Sequence, residues 1–160
     1  MVPQRVIILD AYPLGNAALP LSRDEASNLG AQACRHWIEH CESMGAAVLV
    51  PAITYYEVLR EIELRGAGTQ LQRLQSFCFN ANRFIPLSTH DLTVAARLWA
   101  AVRRDGQPTA DRHALDGDAI LAAQVRNLPV DQSHCVIATS NVKHLIRFGV
   151  KAAEWHEIEP

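Results

Sequence analysis

The chain has 160 residues, of which 49% are hydrophobic and 20% are charged, and its formal net charge at pH 7 is −2. These values predict one ordinary domain over residues 1–160, because a chain of this length can bury a core large enough to fold alone. The slight acidity argues against a protein that coats nucleic acid non-specifically, since such binding favours a basic surface. A nuclease is not excluded, because a bound metal ion adds positive charge locally.

We expect neither a membrane helix nor an export signal in this sequence. No apolar run approaches the roughly 18 residues that a membrane helix needs. The start, MVPQRVIILD, reaches an acidic residue too soon to predict a secretory signal. The four cysteines form no CxxC pair, which argues against a zinc ribbon or a thioredoxin-type site and predicts reduced, mostly buried thiols. We therefore expect a cytoplasmic protein without a membrane partner.

In the first part of the chain, apolar runs alternate with helical patterns. Residues 6–9 predict a buried strand that ends at Asp10, and the proline and glycine within residues 13–15 predict a turn after it. Helical spacing of apolar residues, with a serine cap and a terminal glycine, predicts a helix over residues 22–45. Residues 47–50 predict the second strand.

The middle of the chain continues this alternation. Thr54 is the expected N-cap of a helix that Gly66 ends, and a further helix follows from Thr69. Residues 84–87 predict a short third strand. A serine or threonine at 88–89 then caps a long amphipathic helix.

The last part of the chain begins with a polar segment at residues 105–115, which predicts a surface loop that leads to a helix start at Asp116. Residues 136–139 predict the fourth strand and residues 141–148 a short helix. Residues 154–158 are a candidate edge strand.

Strands that alternate with helices predict the α/β class, here a three-layer α/β/α sandwich with a mostly parallel central sheet of four or five strands. Such sheets place ligands outside the carboxyl ends of their strands. Asp10 follows the first strand and Asn141 follows the fourth, so both are expected at that edge. Asp116 and Asp118 are expected at a nearby helix N-terminus.

Four acidic residues are therefore able to meet: Asp10, Glu57, Asp116 and Asp118. Clustered carboxylates repel each other and raise each other's pKa unless a cation neutralises them. Mg²⁺ and Mn²⁺ prefer such hard oxygen ligands, and they can activate water for attack on a phosphodiester. Any one acid alone could simply cap a helix or a turn, and Asp111 could join the site but better suits a solvated turn. Together they predict a catalytic metal site.

Four segments of the sequence resemble the motifs of PIN domains, in the same order and over nearly the whole chain: VIILDAYPLG, PAITYYEVLRE, LDGDAILAAQ and VIATSNVKHL. The PIN superfamily includes the toxin ribonucleases of bacterial toxin–antitoxin pairs. The resemblance implies a PIN-like fold and an endoribonuclease that cuts RNA with Mg²⁺ or Mn²⁺.

The resemblance also implies roles for the acids. Asp10 matches the acid that ends the first strand, Glu57 matches the glutamate of the second motif, and Asp118 matches the aspartate at the start of a helix. Asp116 is an additional nearby acid. Tyr12 departs from the toxin pattern, in which many members carry Asn or Ser at that position.

The fourth motif supplies candidates for contact with the substrate. Asn141 stands where many members carry a fourth aspartate; its amide can bind a metal-linked water or a phosphate but adds no negative charge. Thr139 and Ser140 match the small hydroxyl positions before it. Lys143 and Arg147, on the short helix that follows, are the best basic candidates for binding RNA.

The partners follow from the resemblance and from surface composition. The resemblance implies RNA, or single-stranded nucleic acid more generally, as substrate and an antitoxin-like protein as partner. The long helices carry enough apolar surface for a homodimer, which the toxin relatives also imply. We expect Tyr55, Tyr56 and Trp99 in the core or at an interface, where large aromatic side chains are more common than at substrate sites.

Three other interpretations remain open. His36 and His40 fit the H-x-x-E-H pattern of inverted zinc peptidases, although the residues between them suit an ordinary amphipathic helix. Phosphatases of the haloacid dehalogenase type also begin with an Asp after an apolar strand, but they need a second Asp where Tyr12 stands. The non-enzymatic alternative, which Asn141 favours, is a PIN fold that binds RNA or protein without cutting.

Overall fold

The computed structural model of the protein describes residues 4–19, 25–106 and 115–160. Residues 25–28 are described as backbone only. The predicted cap Ser22, the acid Asp111 and most of the predicted loop at 105–115 lie outside the described residues. Within them, no helix has the length and apolar character needed to cross a membrane.

Within the described ranges, five parallel strands form the central sheet. Their bounds are Val6–Leu9 (β1), Ala47–Pro51 (β2), Phe84–Ile85 (β3), Cys135–Ala138 (β4) and Ala152–Ala153 (β5). They lie in the order β3-β2-β1-β4-β5, and Val6 pairs with Ala47 on one side and with Cys135 on the other. Parallel neighbours need a crossover over a face of the sheet, so helices cover both faces.

The helices that make these crossovers are Ala11–Ala18 (α1), Glu25–Ser43 (α2), Ala52–Arg65 (α3), Gly68–Phe79 (α4), Thr89–Arg104 (α5), Asp116–Arg126 (α6) and Val142–Leu145 (α7). Short 3₁₀ turns occur at Gln132–His134, Ile146–Phe148 and Trp155–Glu157. Strand and helix order thus follows the alternation that the sequence predicts.

The side chains of β1 divide between two cores because successive residues of a strand point to opposite faces. Ile7 and Leu9 pack with residues of α1 to α4, whereas Val6 and Ile8 pack with residues of α5 to α7. β1 is therefore buried along its whole length, which explains its continuous apolar sequence. The predicted three-layer α/β/α sandwich is confirmed, and its sheet is parallel throughout the described strands.

The predicted turn at residues 13–15 is wrong, because α1 occupies this part of the chain. Asp10 is the N-cap of α1, and its Oδ1 accepts a hydrogen bond from the backbone N of Ala11 at 2.8 Å. Pro13 lies in the first turn, where a missing N–H costs no intrahelical bond. Leu14 is fully buried in the core beside the sheet. The proline therefore helps to begin a helix here.

Two other local predictions are wrong. Thr54 does not cap α3, since Pro51 holds the N-cap position and the Thr54 hydroxyl is buried without a hydrogen-bond partner in the described structure. Residues 154–158 contain a 3₁₀ turn, and the edge strand β5 precedes them. The predicted cap at Ser88 is confirmed by a capping box at the start of α5.

Candidate functional site

A cavity of about 830 Å³ lies at the carboxyl ends of β1 and β4. Its walls come from the start of α1, one side of α3, the first turn of α6 and the segment after β4. Four acids that are far apart in the sequence line it: Asp10, Glu57, Asp116 and Asp118. Parallel topology explains this convergence, because the carboxyl ends of all the strands meet at one edge of the sheet.

Asp10 is the most deeply buried of the four acids, and its carboxylate is held from two sides. Its Oδ1 caps α1, and its Oδ2 accepts a hydrogen bond from Thr139 Oγ1 at 2.6 Å. The Thr139 hydroxyl also accepts a hydrogen bond from the backbone N of Asn141 at 2.9 Å. The backbone N of Asp10 donates to Ala138 O at 3.0 Å, which extends the β1–β4 pairing. These bonds fix the orientation of the carboxylate.

Glu57 reaches the cavity from α3 and lies directly against the backbone of α6. A Cβ atom at position 117 would lie closer to Glu57 Oε1 than non-bonded atoms approach. Gly117 is therefore needed for Glu57 to keep its position. The same glycine separates Asp116 and Asp118. The LDGDA sequence therefore supplies two acids of the cavity and leaves room beside its glycine for the side chain of Glu57.

Asp118 lies in the first turn of α6, where the partial positive charge of a helix N-terminus favours an acid. Its Oδ2 lies 3.6 Å from Nδ1 of His144, which forms an ion pair with it when the imidazole is protonated. Asp116 lies in the same turn and also lines the cavity, but its side chain is exposed.

The acids perturb each other electrostatically. Burial raises the pKa of Glu57 to about 7, and the negative charge of Asp10 adds to this effect while Arg60 opposes it. Burial and then Asp10 raise the pKa of Asp118 to about 6, against the opposing charge of nearby basic groups that include Arg147. Full ionisation of the site is therefore unfavourable in the absence of a cation.

The donor set of this cavity suits Mg²⁺ or Mn²⁺, because carboxylate oxygens are the ligands that these ions prefer. A complete ligand cage is not preformed: in the parts of the chain described above, no group of three or more His, Cys, Asp or Glu side chains could hold a metal ion as it stands. Mg²⁺ commonly takes only one or two protein carboxylates and keeps several waters. The residues present fit that mode of binding.

The residues of the fourth motif divide between the cavity and its surroundings. Ser140 and Asn141 line the cavity. Thr139 is buried beneath it and holds Asp10 in place. Lys143 is exposed and does not line the cavity, whereas His144 does. Helical spacing explains the difference, because residues three apart share a face of α7 and residues two apart do not.

Sequence reasoning did not assign His144, Tyr12 or Tyr56 to the site, and it named Arg60 only as one of several basic residues that could line a substrate groove. Tyr56 is not in the core but exposed on the cavity wall, as are Tyr12 and Arg60. Tyr55, in contrast, is partly buried in an aromatic cluster. The sequence did contain a sign that Tyr56 and Arg60 lie together near Glu57. They are four residues apart on a predicted helix, and Glu57 lies between them in the sequence.

No protein-family model and no curated protein matches the sequence significantly. Solved structures match over nearly the whole chain. In FitAcB from Neisseria gonorrhoeae the match has 16% identity and a TM-score of 0.63, and it covers 95% of this chain and 99% of that chain. VapBC2 from Rickettsia felis, bound to a DNA fragment from its promoter, matches with 12% identity and a TM-score of 0.66. That match covers 94% of this chain and 98% of that chain. FitAB bound to a DNA fragment matches with 17% identity and a TM-score of 0.62, and this match covers 96% of this chain and 98% of that chain.

The VapBC and FitAB complexes are toxin–antitoxin pairs whose toxin has the PIN-domain fold. The sequence identities are low, so the likeness concerns the fold. This chain has the PIN-like fold, as its four motifs imply.

Proposed function

We propose that this protein is an endoribonuclease that hydrolyses phosphodiester bonds with Mg²⁺ or Mn²⁺ held by clustered carboxylates. One observation carries the proposal: Asp10, Glu57, Asp116 and Asp118 line a single cavity at the sheet edge where α/β folds bind their ligands. The PIN-like fold and the four motifs support it independently.

The residues of the cavity suit this chemistry. A bound Mg²⁺ or Mn²⁺ would supply Lewis acidity toward a phosphoryl oxygen and toward a bound water. Asp10, whose orientation Thr139 fixes, and Asp118 are the principal ligands, and the exposed Asp116 is an additional one. Glu57 lies against the first turn of α6 at the same cavity and would contribute negative charge toward the cation.

Basic groups on the cavity wall complement these acids. Arg60 and His144 line the same cavity, and each lies close enough to an acid to lower its pKa. A guanidinium or a protonated imidazole can donate charge-assisted hydrogen bonds to a phosphate. Asn141 lines the cavity, and its amide, which can both donate and accept, would bind a metal-linked water or a phosphate oxygen.

The partners are part of the same proposal. RNA is the substrate, and an antitoxin-like protein is the partner, by analogy with the VapBC and FitAB complexes that share the fold. Exposed apolar side chains on the long helices, such as Leu92 of α5, support association as a homodimer. The cytoplasm is the expected compartment.

A second function is favoured by one specific observation. Asn141 stands at the position of a fourth acid in the motif, where its amide adds no negative charge. This would suit a PIN fold that binds RNA or a protein without cutting it.

Cleavage of labelled single-stranded RNA tests the proposal. Purified protein is incubated with Mn²⁺ and the products are separated on a gel, with chelation by EDTA as one control. We expect cleavage that Asp10→Asn and Asp118→Asn abolish and that Asp105→Asn, an exposed acid outside the cavity, preserves. Binding without cleavage would favour the second function. Equal cleavage by every variant would indicate a contaminating nuclease and refute the assignment.

A further inference from the structure

Two exposed aromatic rings stand on the wall of the acidic cavity. Tyr12 lies in the first turn of α1, two residues after Asp10, and is 55% exposed. Tyr56 lies on α3, directly before Glu57, and is 56% exposed. Tyrosine combines a large apolar ring with a polar hydroxyl, so it suits a surface that contacts another molecule.

The faces of these rings are not covered by other aromatic groups. Among the described residues, aromatic rings pair elsewhere, in the clusters around Tyr55 and around Trp37. The Tyr56 ring has a cationic neighbour instead: Arg60 Cζ lies 5.7 Å from its centroid. Tyr12 and Tyr56 therefore keep ring surface accessible at the cavity.

Arg60 links the ring to the charged part of the site. It lies one helical turn after Tyr56 and lines the cavity, and its positive charge lowers the pKa of Glu57. An aromatic ring beside an arginine is the combination that binds single-stranded nucleic acid without sequence preference, because every base has a π-face and every nucleotide has a phosphate.

We propose that Tyr12 and Tyr56 bind an unpaired nucleobase at the mouth of the cavity by stacking their rings against it. The inference rests on the proposed nuclease function, because it names the residues that bind a base of the substrate at that same cavity. A base within a duplex is already stacked on its neighbours, and it must leave the stack before a protein ring can contact its face.

Alanine substitutions at the two tyrosines test this proposal. The probe is a fluorescein-labelled eight-nucleotide oligoadenylate RNA in buffer with Ca²⁺, and its affinity is measured by fluorescence anisotropy, with probe length checked on a gel. We expect Tyr12→Ala and Tyr56→Ala each to weaken binding by about 5-fold to 150-fold, the range for loss of one stacked base. Phenylalanine at either position retains the ring and should preserve affinity. Leu64→Ala is the matched control, because Leu64 is 81% exposed on α3 and does not line the cavity.

Abasic nucleotides in the probe identify stacking as the cause. One abasic position should weaken binding to the wild-type protein as much as loss of a ring does, and it should cause little further loss in the alanine variants. Equal affinities of the alanine variants and the wild type, or equal abasic losses in both, would overturn the proposal. Loss of self-association in the alanine variants with RNA affinity intact would assign the rings to a protein interface and would overturn it as well.

Failure of this proposal is distinguishable from failure of the nuclease assignment. An enzyme that cuts RNA and whose tyrosine variants bind and cut normally refutes base stacking alone. A protein that never cuts, but whose RNA affinity depends on both the rings and the bases, refutes the hydrolytic chemistry alone.

Discussion

Thr139 donates a hydrogen bond from Oγ1 to Oδ2 of Asp10 over 2.6 Å, and this bond joins the ends of the two central strands beneath the cavity. Both residues are buried, so the hydroxyl satisfies a carboxylate oxygen that water reaches poorly. The same hydroxyl receives the backbone N–H of Asn141. One side chain thus positions both an acid of the first motif and the amide residue of the fourth.

Replacement of this hydroxyl should destabilise the protein. Thr139→Val keeps the side-chain volume but leaves a buried carboxylate oxygen and a backbone N–H without a partner, so we expect the free energy of unfolding in urea to fall by about 1–3 kcal/mol. Thr139→Ser retains the hydroxyl and should lose clearly less. An unfolding free energy that is unchanged in the valine variant would show that the bond does not hold Asp10.

Gly117→Ala should weaken metal binding without lowering stability. The new Cβ would occupy the place of Glu57 Oε1, and the flexible end of the glutamate can move away at little cost. We expect Mn²⁺ affinity, measured by calorimetry, to fall roughly 10–100-fold, as when the surroundings of a metal ligand are disturbed.

The matched control for this change is Gly30→Ala in α2, where a Cβ meets no atom within 4 Å. It should leave Mn²⁺ affinity unchanged and raise stability by up to about 1 kcal/mol, because alanine favours a helix over glycine. If Gly117→Ala binds Mn²⁺ with unaltered affinity, Glu57 does not contribute to the proposed metal site.

Glu57 and Asp118 should make the metal-free protein less stable as pH rises from acid to neutral. The pKa of Glu57 is raised from 4.5 to about 7 and that of Asp118 from 3.8 to about 6. Between about pH 4 and pH 7 these two groups therefore bind more protons in the folded state than in the unfolded chain, and their contribution to the free energy of unfolding falls with increasing pH. This contribution is complete below the ordinary pKa values and is lost above about pH 7.

Denaturant unfolding at several pH values, with EDTA present, measures this dependence. Glu57→Gln carries no charge at any pH and should flatten the slope, whereas Glu63→Gln, at an exposed position of the same helix, should not. Added Mn²⁺ should restore stability at pH 8 by binding the folded state. A wild-type slope identical to that of Glu57→Gln would contradict the predicted perturbation.

Asn141→Asp should strengthen metal binding. Asn141 lines the cavity with the other acids, and a carboxylate there adds a hard, charged ligand while its backbone bond to Thr139 remains. We expect higher Mn²⁺ affinity and faster RNA cleavage than in the wild type. Asn80→Asp, at the exposed end of α4, is the control. If neither affinity nor rate increases, the amide is not the cause of an incomplete metal site.

Lys143→Glu should weaken RNA binding through charge alone. Lys143 is exposed on α7 next to the cavity but does not line it, so its expected role is contact with a phosphate outside the reacting bond. Affinity should fall, and the slope of log affinity against log salt should decrease by about one. Lys151→Glu makes the same change of charge just before β5, at the amino end of the sheet, and should have little effect. Equal salt slopes in the wild type and Lys143→Glu would refute this contact.

Much of the fold could be predicted because it rests on local patterns. Apolar runs and helical periodicity are properties of neighbouring residues, and they located the strands and the layers around them. α1 escaped prediction because its proline and glycine suggest a turn. A helix forms there because Asp10 caps it and Leu14 is buried against the sheet, and both interactions depend on the rest of the fold.

The amino-acid sequence by itself determined that Asp10 would follow a strand of a parallel sheet and that Asp116 and Asp118 would begin a helix. The carboxyl edge of such a sheet is where α/β folds bind their ligands. Only the tertiary structure decided the neighbours of the acids: Thr139 beneath Asp10, Gly117 against Glu57, and His144 beside Asp118. The physical reason is that contacts between distant segments depend on strand register and on the rotation of each helix about its axis. Neither is encoded by the spacing of residues along one segment.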